Sequence, residues 1–408
     1  MASFYIPLSG LEADTTALNT IANNLSNLNT TGFKAQTVNF SDMFYQQIGE
    51  QGSGDLIQEG SGVGVSSIQS DFSQGSGIST NSASDVEVNG NGFFVVNDGS
   101  TSLYTRDGNF NASSTGSLLT QSGEQVMGYP AAGGVVNTSA PLVGITLPVG
   151  QVQPAQATTG FGMTANLDAT AAVGASVPAG VTIYDSLGVS HVATVTYTKT
   201  ANNTWSYSIA LPPGDSTASA NTTGTLTFDS NGNLTSPAAD VAGISFTGLA
   251  DGAANMNLSF NVLGTSGTPT ITQTDLASAA SASTQNGFTT GTYTGFSIAS
   301  DGTVNATFSN NQTVAVGQLA LANVANQQGL ALLGGGNYAA TQASGTPSIG
   351  ISGTEGLGTI NDNELESSNV NISAEFSDLI IAQRAFEANS KGVTTFDTIA
   401  QETINMVH

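Results

Sequence analysis

The chain has 408 residues, only 8% of them charged, and its five Lys and Arg stand against 29 Asp and Glu for a formal net charge of −24. This length allows two or three domains with sizeable cores. The negative charge argues against nucleic-acid or anionic-lipid binding, because both need basic patches. The absence of cysteine excludes disulfides, thiolate metal sites and cysteine nucleophiles.

The opening residues, MASFYIPLSG, have neither a basic region nor a sustained apolar run. We therefore expect no secretory signal peptide there. No apolar run in the sequence approaches the ~18 residues that a membrane-spanning helix needs. The wealth of Gly, Ser, Thr and Asn is nevertheless typical of an extracellular protein.

Residues 9–28 are predicted to form an amphipathic helix, because leucines recur at every seventh position with a second apolar row beside them. Ser9 and Glu12 have the spacing of a capping box, and Pro7 argues against an earlier start. The helix should end in NNLSNLNTTGFKAQ (23–36), where Asn and Gly compete for its backbone bonds. The apolar positions are Leu11, Leu18, Ile21, Leu25 and Leu28.

The middle of the chain is predicted to be β-structure. Residues 93–97 and 101–106 form a meander pattern, and 181–211 contain a longer one in which Trp205, Tyr207, Ile209 and Leu211 fall on one face. Residues 223–236 and 296–324 continue the strands.

Two stretches of low complexity are predicted to be linkers, a Pro/Thr/Ala-rich one around 148–180 and an Ala/Ser-rich one at 275–287. The block between them, 150–284, then forms a β domain inserted into an outer domain. That outer domain is built from 71–149 and 285–349.

The last residues, 370–408, predict a second and longer amphipathic helix, capped by Asn371 or Ser373 and carrying an i,i+4 pair between Glu387 and Lys391. Its main row continues through Ala400 to Val407. The apolar positions are Ile372, Phe376, Leu379, Phe386 and Val393.

Both apolar rows lie at chain ends that have little else to cover them, so we expect them to pack on each other or on neighbouring molecules. The expected fold is mainly β and multidomain, with meander or barrel-like outer domains. The terminal helices, 1–30 and 370–408, form a coiled-coil-like inner domain, and 31–70 and 350–369 connect it to the rest.

Catalytic chemistry is not expected. Two histidines and two arginines leave no catalytic triad and no histidine metal cluster, and His191 is interpreted as a satisfied, half-buried side chain of a strand. His408 is the last residue and is not expected to be catalytic. The segment Asp229–Asn233 lacks the distal Glu of a calcium loop and is interpreted as a hairpin turn. The sequence predicts no enzyme, cofactor or metal.

The residues resemble a family of bacterial proteins. ANNLSNLNTTGFK with FSDMFYQ, and LESSNVNISAEFSDLIIAQRAFEANSK near the other end, resemble flagellar rod and hook proteins. NGFFVV, YTRDGNF and GQLALANVANQQGL extend the resemblance to about two thirds of the chain. The length and the inserted block favour the hook subunit, a structural part of a universal joint between motor and filament.

The resemblance implies a helical homopolymer that contacts rod proteins, hook-cap proteins, hook–filament junction proteins and the flagellar export apparatus. It also implies export without a cleaved signal and an extracellular location. The terminal apolar positions given above are then the subunit interface. Pro7 and the long link 46–64 depart from the simplest hook pattern. The distal rod subunit therefore remains an alternative interpretation. A β-rich surface adhesin and a carbohydrate-active β enzyme are the alternatives from other classes.

Overall fold

The computed structural model describes residues 4–50, 56–264 and 266–406. One α-helix lies near each end of this part, α1 (Tyr5–Ser26) and α2 (Ile372–Met406), and the sequence between them is almost entirely β-structure. The prediction of a mainly β, multidomain protein with a helix at each terminus is confirmed. Neither helix combines the length and apolarity of a membrane span. Val407 and His408 lie outside the described residues.

Helix α1 begins at Tyr5 rather than Ser9, so the predicted capping box is wrong. Pro7 sits in the first turn, where its missing amide has no intrahelical bond to lose. The Ser9 hydroxyl donates to the Ile6 carbonyl at 2.8 Å and accepts the Val63 amide at 3.2 Å. The helix therefore extends past the proline that was interpreted as its boundary.

Helix α2 is capped as predicted by Asn371, whose Oδ1 accepts the amides of Ser373 and Ala374 at 3.0 and 3.2 Å. The predicted pair of Glu387 with Lys391 is wrong. Glu387 Oε2 instead accepts from Arg384 Nη1 at 3.2 Å, because a guanidinium one turn earlier competes for the same exposed carboxylate.

The chain divides into two compact units. Unit 1 comprises Met1–Val149, Gly295–Ala306 and Thr313–His408, and unit 2 comprises Gly150–Thr294 and Thr307–Gln312. The four-part division predicted from the sequence is finer and stays a prediction.

The strands before unit 2 are β1 (Gln36–Asp42), β2 (Tyr45–Glu50), β3 (Leu56–Gly60), β4 (Val63–Ser70), β5 (Gly77–Ser79), β6 (Val86–Asn89), β7 (Phe93–Asn97), β8 (Ser102–Thr105), β9 (Asn111–Ala112), β10 (Leu118–Leu119), β11 (Gln125–Ala132), β12 (Val135–Val136) and β13 (Val143–Gly144). Unit 2 then contributes β14 (Val152–Gln153), β15 (Gly160–Asp168), β16 (Ser176–Tyr184), β17 (Ser190–Ala201), β18 (Thr204–Ala210), β19 (Ser216–Ala220), β20 (Thr223–Phe228), β21 (Leu234–Ser236), β22 (Val241–Leu249), β23 (Met256–Asn261), β24 (Ile271–Thr274) and β25 (Ala279–Gln285).

The remaining elements are β26 (Gly291–Ile298), β27 (Thr303–Phe308), β28 (Thr313–Leu319), β29 (Leu321–Asn323), a 3-10 helix (Gln327–Gly329), β30 (Ala331–Gly334), β31 (Asn337–Ala339), β32 (Ser348–Gly350), β33 (Thr359–Asp362) and β34 (Glu364–Glu366).

In unit 1, strands from both ends of the chain share sheets. One run has the order β28-β11-β7-β8-β31-β30, and β5 and β6 pair antiparallel with β34 and β33. The predicted meander is confirmed as β7 and β8, which pair antiparallel. The aromatic rings of Phe72, Phe93 and Tyr338 pack together with centroids 5.5–5.9 Å apart. This part of unit 1 therefore has a hydrophobic core of its own.

Most strands of the described part of unit 2 belong to two sheets, one in the order β19-β22-β23-β15-β24 with β25 added on β15, and one in the order β16-β17-β18-β20-β21. In addition, β14 pairs with the first residues of β26. Buried residues of both sheets form one hydrophobic cluster. Trp205, Tyr207 and Ile209 are buried on one face as predicted, whereas Leu211 lies just past β18 and is half-buried. The Trp205 indole donates to Gln273 Oε1 of β24 at 2.9 Å, which ties the two sheets together.

Both predicted linkers are wrong, because they contain strands. Strand β15 lies inside its sheet and buries Phe161, Met163 and Leu167 on alternate positions. Strand β25 pairs antiparallel with β15 although all its side chains are exposed. Its Ala and Ser side chains carry no alternating pattern, so backbone pairing decides its structure.

The segment after β20 is a hairpin turn, as predicted. The Asp229 carboxylate accepts the amides of Asn231 and Asn233 at 2.8 Å each. These hydrogen bonds hold the pKa of Asp229 below its usual value.

Candidate functional site

The two terminal helices lie side by side and antiparallel in unit 1. Asn389 Nδ2 donates to Asp14 Oδ2 at 2.8 Å, and Asn24 Nδ2 donates to Glu375 Oε1 at 2.9 Å. The start of α1 therefore faces the middle of α2, and the end of α1 faces the start of α2. Sequence alone offered this packing as one of two possibilities, and the other was packing on neighbouring molecules.

Small and polar residues fill the seam between the helices. A Cβ added to Gly10 would fall 2.6 Å from Asn389 Nδ2, and one added to Gly392 would fall 3.3 Å from Pro7 Cβ. Glycine at these two positions therefore leaves room for the facing side chains of Asn389 and Pro7. The buried residues of the two helices are Pro7, Ser9, Gly10, Ala13, Thr20 and Asn24 of α1 and Ala382 of α2, and Ser9 among them contacts Val63 of β4.

The predicted apolar rows lie beside the seam. At 100° per residue, the row of Leu11, Leu18 and Leu25 is roughly a third of a turn from the mean direction of the buried positions of α1. Every predicted interface residue keeps accessible surface within this chain. Leu11, Leu18, Ile21, Leu25, Leu28, Leu379, Phe386 and Val393 are half-buried, and Ile372 and Phe376 are 46% and 50% exposed.

Helix α2 is 35 residues long against 22 for α1, so it runs on past the point where Gly392 meets Pro7. The extension carries large apolar side chains in the open, among them Met406 at 86% exposure. Other exposed apolar side chains on the helices are Tyr5, Ile6, Ile380, Ile381, Ile399 and Ile404, and Phe4 just before α1 is also exposed. Sequence reasoning missed Ile380 and Ile381, although their adjacency at 380–381 already put one of them outside a single stripe.

A groove between α1, α2 and β1 is lined by Ile21, Val38, Phe40, Ile381 and Ala382. A second exposed apolar region lies on the hairpin of β2 and β3, where Phe44 is 90% exposed. Its other exposed apolar residues are Tyr45, Ile48, Leu56 and Ile57. From the sequence, residues 46–64 are interpreted only as a long link, because strands of six and five residues are too short to show a clear alternation.

The end of α1 is fixed by one asparagine in the opening NNLSN motif. Asn24 is 1% exposed, and its side chain exchanges two hydrogen bonds with the backbone of Gln36 at 2.8 and 2.9 Å. Its third bond goes to Glu375 of α2. Burial raises the pKa of Glu375, and the bond from Asn24 opposes that shift. Asn24 therefore joins α1, β1 and α2.

Beyond Asn24, the chain turns at Gly32, whose φ of 66° lies in the region that favours glycine. A Cβ at this position would fall 2.7 Å from the Arg106 carbonyl carbon. The Gly32 amide donates to the Glu366 carbonyl at 2.7 Å. The TTGFK segment therefore brings the N-terminal chain against the C-terminal chain.

A buried ionic junction holds this meeting point. Lys34 Nζ lies 2.6 Å from Glu366 Oε1, and Arg106 Nη1 lies 3.2 Å from Glu366 Oε2, with all three side chains at most 3% exposed. Burial lowers the pKa of Lys34, and the contact with Glu366 opposes that shift. The Arg106 guanidinium also donates to the carbonyls of Val88 and Gly90. One carboxylate thus joins three distant parts of unit 1.

Four family models of known proteins match successive parts of the chain. Residues 4–34 match the family model "Flagella basal body rod protein", 87–166 the "Flagellar hook protein FlgE/F/G D1 domain", 155–288 the "Flagellar basal body protein FlaE D2 domain" and 362–406 the "Flagellar basal body rod FlgEFG protein C-terminal". These matches define a flagellar rod or hook protein.

The chain is 34% identical to the flagellar hook protein FlgE of Escherichia coli over 99% of its own length and 100% of that protein. It is 32% identical to the flagellar hook protein FlgE of Borreliella burgdorferi over 100% and 99%. The chain belongs to the flagellar hook protein FlgE family, and it is a structural subunit of the hook. These full-length relatives do not favour the distal rod or adhesin alternatives.

The fold agrees with a solved relative. The crystal structure of Helicobacter pylori flagellar hook protein FlgE2 matches 71% of this chain and 100% of that chain with a TM-score of 0.53 at 14% identity. The relatives bear the names of structural proteins rather than enzymes, in keeping with the expected class. Membership of the family implies self-polymerisation and association with other flagellar proteins.

Proposed function

We propose that the terminal helix pair is the main surface through which this subunit polymerises into the hook tube, and that the tube acts as a universal joint between motor and filament. One observation carries the proposal. The helix pair uses small and polar residues for its own seam and leaves its large apolar side chains accessible.

Those accessible side chains can supply the free energy of assembly. Burying one exposed Ile or Phe between subunits contributes about 1.5–3 kcal/mol. The extension of α2 and the first residues of α1 supply several such side chains per subunit. A soluble monomer rarely exposes so many large apolar groups on one element unless a partner covers them.

The finer architecture follows from the same surface. We infer that the half-buried leucine rows of α1 and α2 meet the rows of neighbouring subunits, which gives a coiled-coil-like inner wall. The β domains, closed in a barrel-like manner, then lie outside that wall, and the insertion 150–284 lies furthest out. The hairpin of β2 and β3 adds a second apolar contact between subunits.

The negative charge of the subunit limits how tightly subunits bind one another. Three of the five cations, Lys34, Arg106 and Lys199, are buried, and the two exposed ones, Arg384 and Lys391, are both on α2. The remaining surface is acidic, so neighbouring subunits repel each other at low salt. Contacts between outer Gly-, Thr- and Asn-rich surfaces are individually weak, and they can exchange as the tube bends.

Partners and location follow from family membership. We infer that the hook polymer contacts rod proteins at one end and hook-cap and hook–filament junction proteins at the other. The subunit reaches this extracellular place through the flagellar export apparatus, without a cleaved signal. A chain free of disulfides suits transport in an unfolded state.

A charge in the helical seam between subunits tests the proposal. Leu379→Asp combined with Phe386→Asp places two carboxyl groups in an interface that must be dry. Burying even a neutral polar group without a hydrogen bond costs roughly 2–7 kcal/mol, and an ionised carboxylate costs more. Electron microscopy of purified protein is expected to find no tubes, and motility of cells carrying the variant is expected to be lost.

The control is Asn202→Asp, which adds one charge in the exposed turn between β17 and β18 of unit 2. This variant should form normal tubes. Circular dichroism of both variants checks that the β domains stay folded. Normal tubes from the Leu379/Phe386 variant would refute the proposed role of α2.

A further inference from the structure

Four titratable side chains meet at one place in unit 2, and their geometry is that of a metal site. Asp185 follows β16, His191 is the second residue of β17, Asp215 precedes β19, and Asp251 follows β22. We propose that Asp185, His191 and Asp251 bind a divalent transition-metal ion, with Zn²⁺ as the best match to this ligand set. The site lies wholly within unit 2.

The distances fit a small ion. His191 Nε2 lies 3.2 Å from Asp185 Oδ2 and 3.6 Å from Asp251 Oδ2, and all three ligand atoms lie within 4.8 Å of one another. Zinc bonds of about 2.0–2.2 Å in tetrahedral geometry separate neighbouring ligand atoms by roughly 3.3–3.6 Å. The two separations from His191 Nε2 therefore match those between neighbouring corners of such a coordination sphere, and the limit of 4.8 Å keeps the two carboxylate oxygens within reach of the same ion.

The second nitrogen of the imidazole is held as it is in zinc proteins. His191 Nδ1 lies 2.9 Å from Asp215 Oδ2. Nε2 forms a hydrogen bond with Asp185 Oδ2, so both ring nitrogens are satisfied, as the sequence predicted for this histidine. A metal ion would take the place of the hydrogen bond at Nε2, while the Asp215 carboxylate keeps the proton on Nδ1. Asp215 is thus a positioning residue, and it also adds basicity to the ligand.

Hydrogen bonds from backbone amides orient each of the two carboxylates that face the proposed metal. Asp185 is fully buried, and its Oδ1 accepts the amides of Leu187 and Val189 at 2.8 and 2.9 Å. Asp251 Oδ1 accepts the amide of Ala253 at 3.0 Å. In both residues the other oxygen, Oδ2, is the one that faces His191. The side chains of Asp215 and Asp251 are 32% and 25% exposed, so solvent can complete the coordination of a bound ion.

Charge supplies an independent reason for a cation. Three carboxylates surround one imidazole, so even an imidazolium leaves a net charge of −2 from these four groups. Lys199 is the only Lys or Arg in the sequence of unit 2, and its ammonium donates to the carbonyl of Ala169 and lies 5.8 Å from the Trp205 ring centroid. A divalent ion neutralises the cluster where no basic side chain does so.

The sequence analysis expected no histidine metal cluster because the chain has two histidines and no cysteine. That expectation considered only histidine and cysteine as ligands and left out aspartates that lie in separate turns. Asp185, Asp215 and Asp251 come from three connections between strands, and only the sheet topology brings them to His191.

Zinc titration of the full-length monomer, first stripped by a chelator and kept below the concentration for assembly, tests the proposal. Isothermal calorimetry is expected to find one Zn²⁺ per chain, and bound zinc should raise the melting temperature of the protein. His191→Gln and Asp251→Asn should each weaken zinc binding at least tenfold. Asp215→Asn should weaken it 10–100-fold, as expected for a group that orients a metal-binding histidine.

The matched control is His408→Gln, which removes the other histidine and should leave zinc affinity unchanged. Asp251 is part-exposed in a turn, so we expect Asp251→Asn to fold. If His191→Gln does not fold, zinc binding by Asp251→Asn still tests the proposal. Failure of the unmodified chain to bind zinc at millimolar concentration would overturn the proposal. Unchanged binding by a folded His191→Gln or Asp251→Asn variant would do the same, since it would place the zinc on other carboxylates.

Discussion

Unit 2 and the terminal helix pair of unit 1 solve the problem of covering apolar surface in opposite ways. Unit 2 buries Trp205, Tyr197, Phe161 and Phe260 completely inside one cluster. The helix pair buries small and polar residues and leaves its isoleucines and phenylalanines accessible.

The difference shows where each region obtains its stability. A β domain that buries its own aromatic residues gains most of its hydrophobic free energy within one chain. A helix pair with a seam of Gly, Ala and Asn gains little from that seam. It obtains the missing burial only from other subunits, which suits a part that must form after export.

Removing both ends gives the largest effect. A chain of residues 71–369 retains β5 to β34 and both hydrophobic clusters but lacks α1 and α2. We expect it to melt cooperatively and to form no tubes at any concentration, as measured by calorimetry and electron microscopy. Full-length protein handled in parallel is the control, and tubes from the shortened chain would contradict the comparison.

The core of unit 2 should be the most sensitive to truncation of a single side chain. Trp205→Ala removes a fully buried ring and its bond to Gln273, and we expect a loss of about 3–5 kcal/mol in the free energy of unfolding. Circular dichroism in urea measures it, because Trp205 is the only tryptophan and fluorescence would be lost.

Trp205→Phe is the matched control, since it retains most of the volume and should lose much less stability. If alanine at position 205 costs no more than a surface substitution, the aromatic cluster does not stabilise unit 2 as described.

Substitution of Glu366 tests whether contacts inside the chain also stabilise the part of unit 1 outside the helix pair. Glu366→Gln keeps the shape but leaves Lys34 and Arg106 without a buried counter-charge, and removal of one partner from such a pair costs about 3–5 kcal/mol. Urea denaturation should show the transition of unit 1 at lower denaturant concentration.

Glu59→Gln, at an exposed position of β3, is the control and should unfold as the unmodified protein does. Equal stability of the Glu366 and Glu59 variants would mean that Lys34 releases its proton readily or that water reaches the junction.

The smallest effect concerns pH and the helix pair. Burial raises the pKa of Glu375 above its ordinary value of 4.5, so its charged form is disfavoured in the folded pair. The folded state then binds more protons than the unfolded state in this window. The contribution of Glu375 is fully present below 4.5 and is lost as pH rises through its folded-state pKa.

Helicity of the monomer at 222 nm should therefore decrease slightly from pH 4.5 to 7, and Glu375→Gln should remove this part of the pH dependence while keeping the bond from Asn24. Glu402→Gln, exposed on the extension of α2, should leave the profile unchanged. A rise in helicity with pH that the Gln variant abolishes would reverse the assigned sign.

The sequence predicted well those features that are encoded locally. The seven-residue recurrence of apolar side chains gave both helices, although α1 starts earlier than Pro7 suggested. Alternation gave the strands around Trp205 and the meander at 93–106. It failed for β25, whose Ala and Ser side chains are all exposed and carry no alternation.

The candidate sites were less predictable. The predicted apolar positions lie on the helices except Leu28, which follows the end of α1 at Ser26, and their role as the interface stays a prediction. The seam itself was missed because Gly10, Asn24 and Gly392 have no hydrophobic signal. The structure also exposes Ile380 and Ile381, which a single stripe did not include.

By itself, the sequence determined the class of fold, the family and the absence of a disulfide-based architecture, because periodicity, motifs and composition are properties of neighbouring residues. Only the tertiary structure decided which face of each helix is the seam, how Glu366 meets Lys34 across 332 residues of sequence, and how three turns bring aspartates to His191. Such contacts depend on strand order and backbone approach, and neither leaves a repeating pattern along the chain.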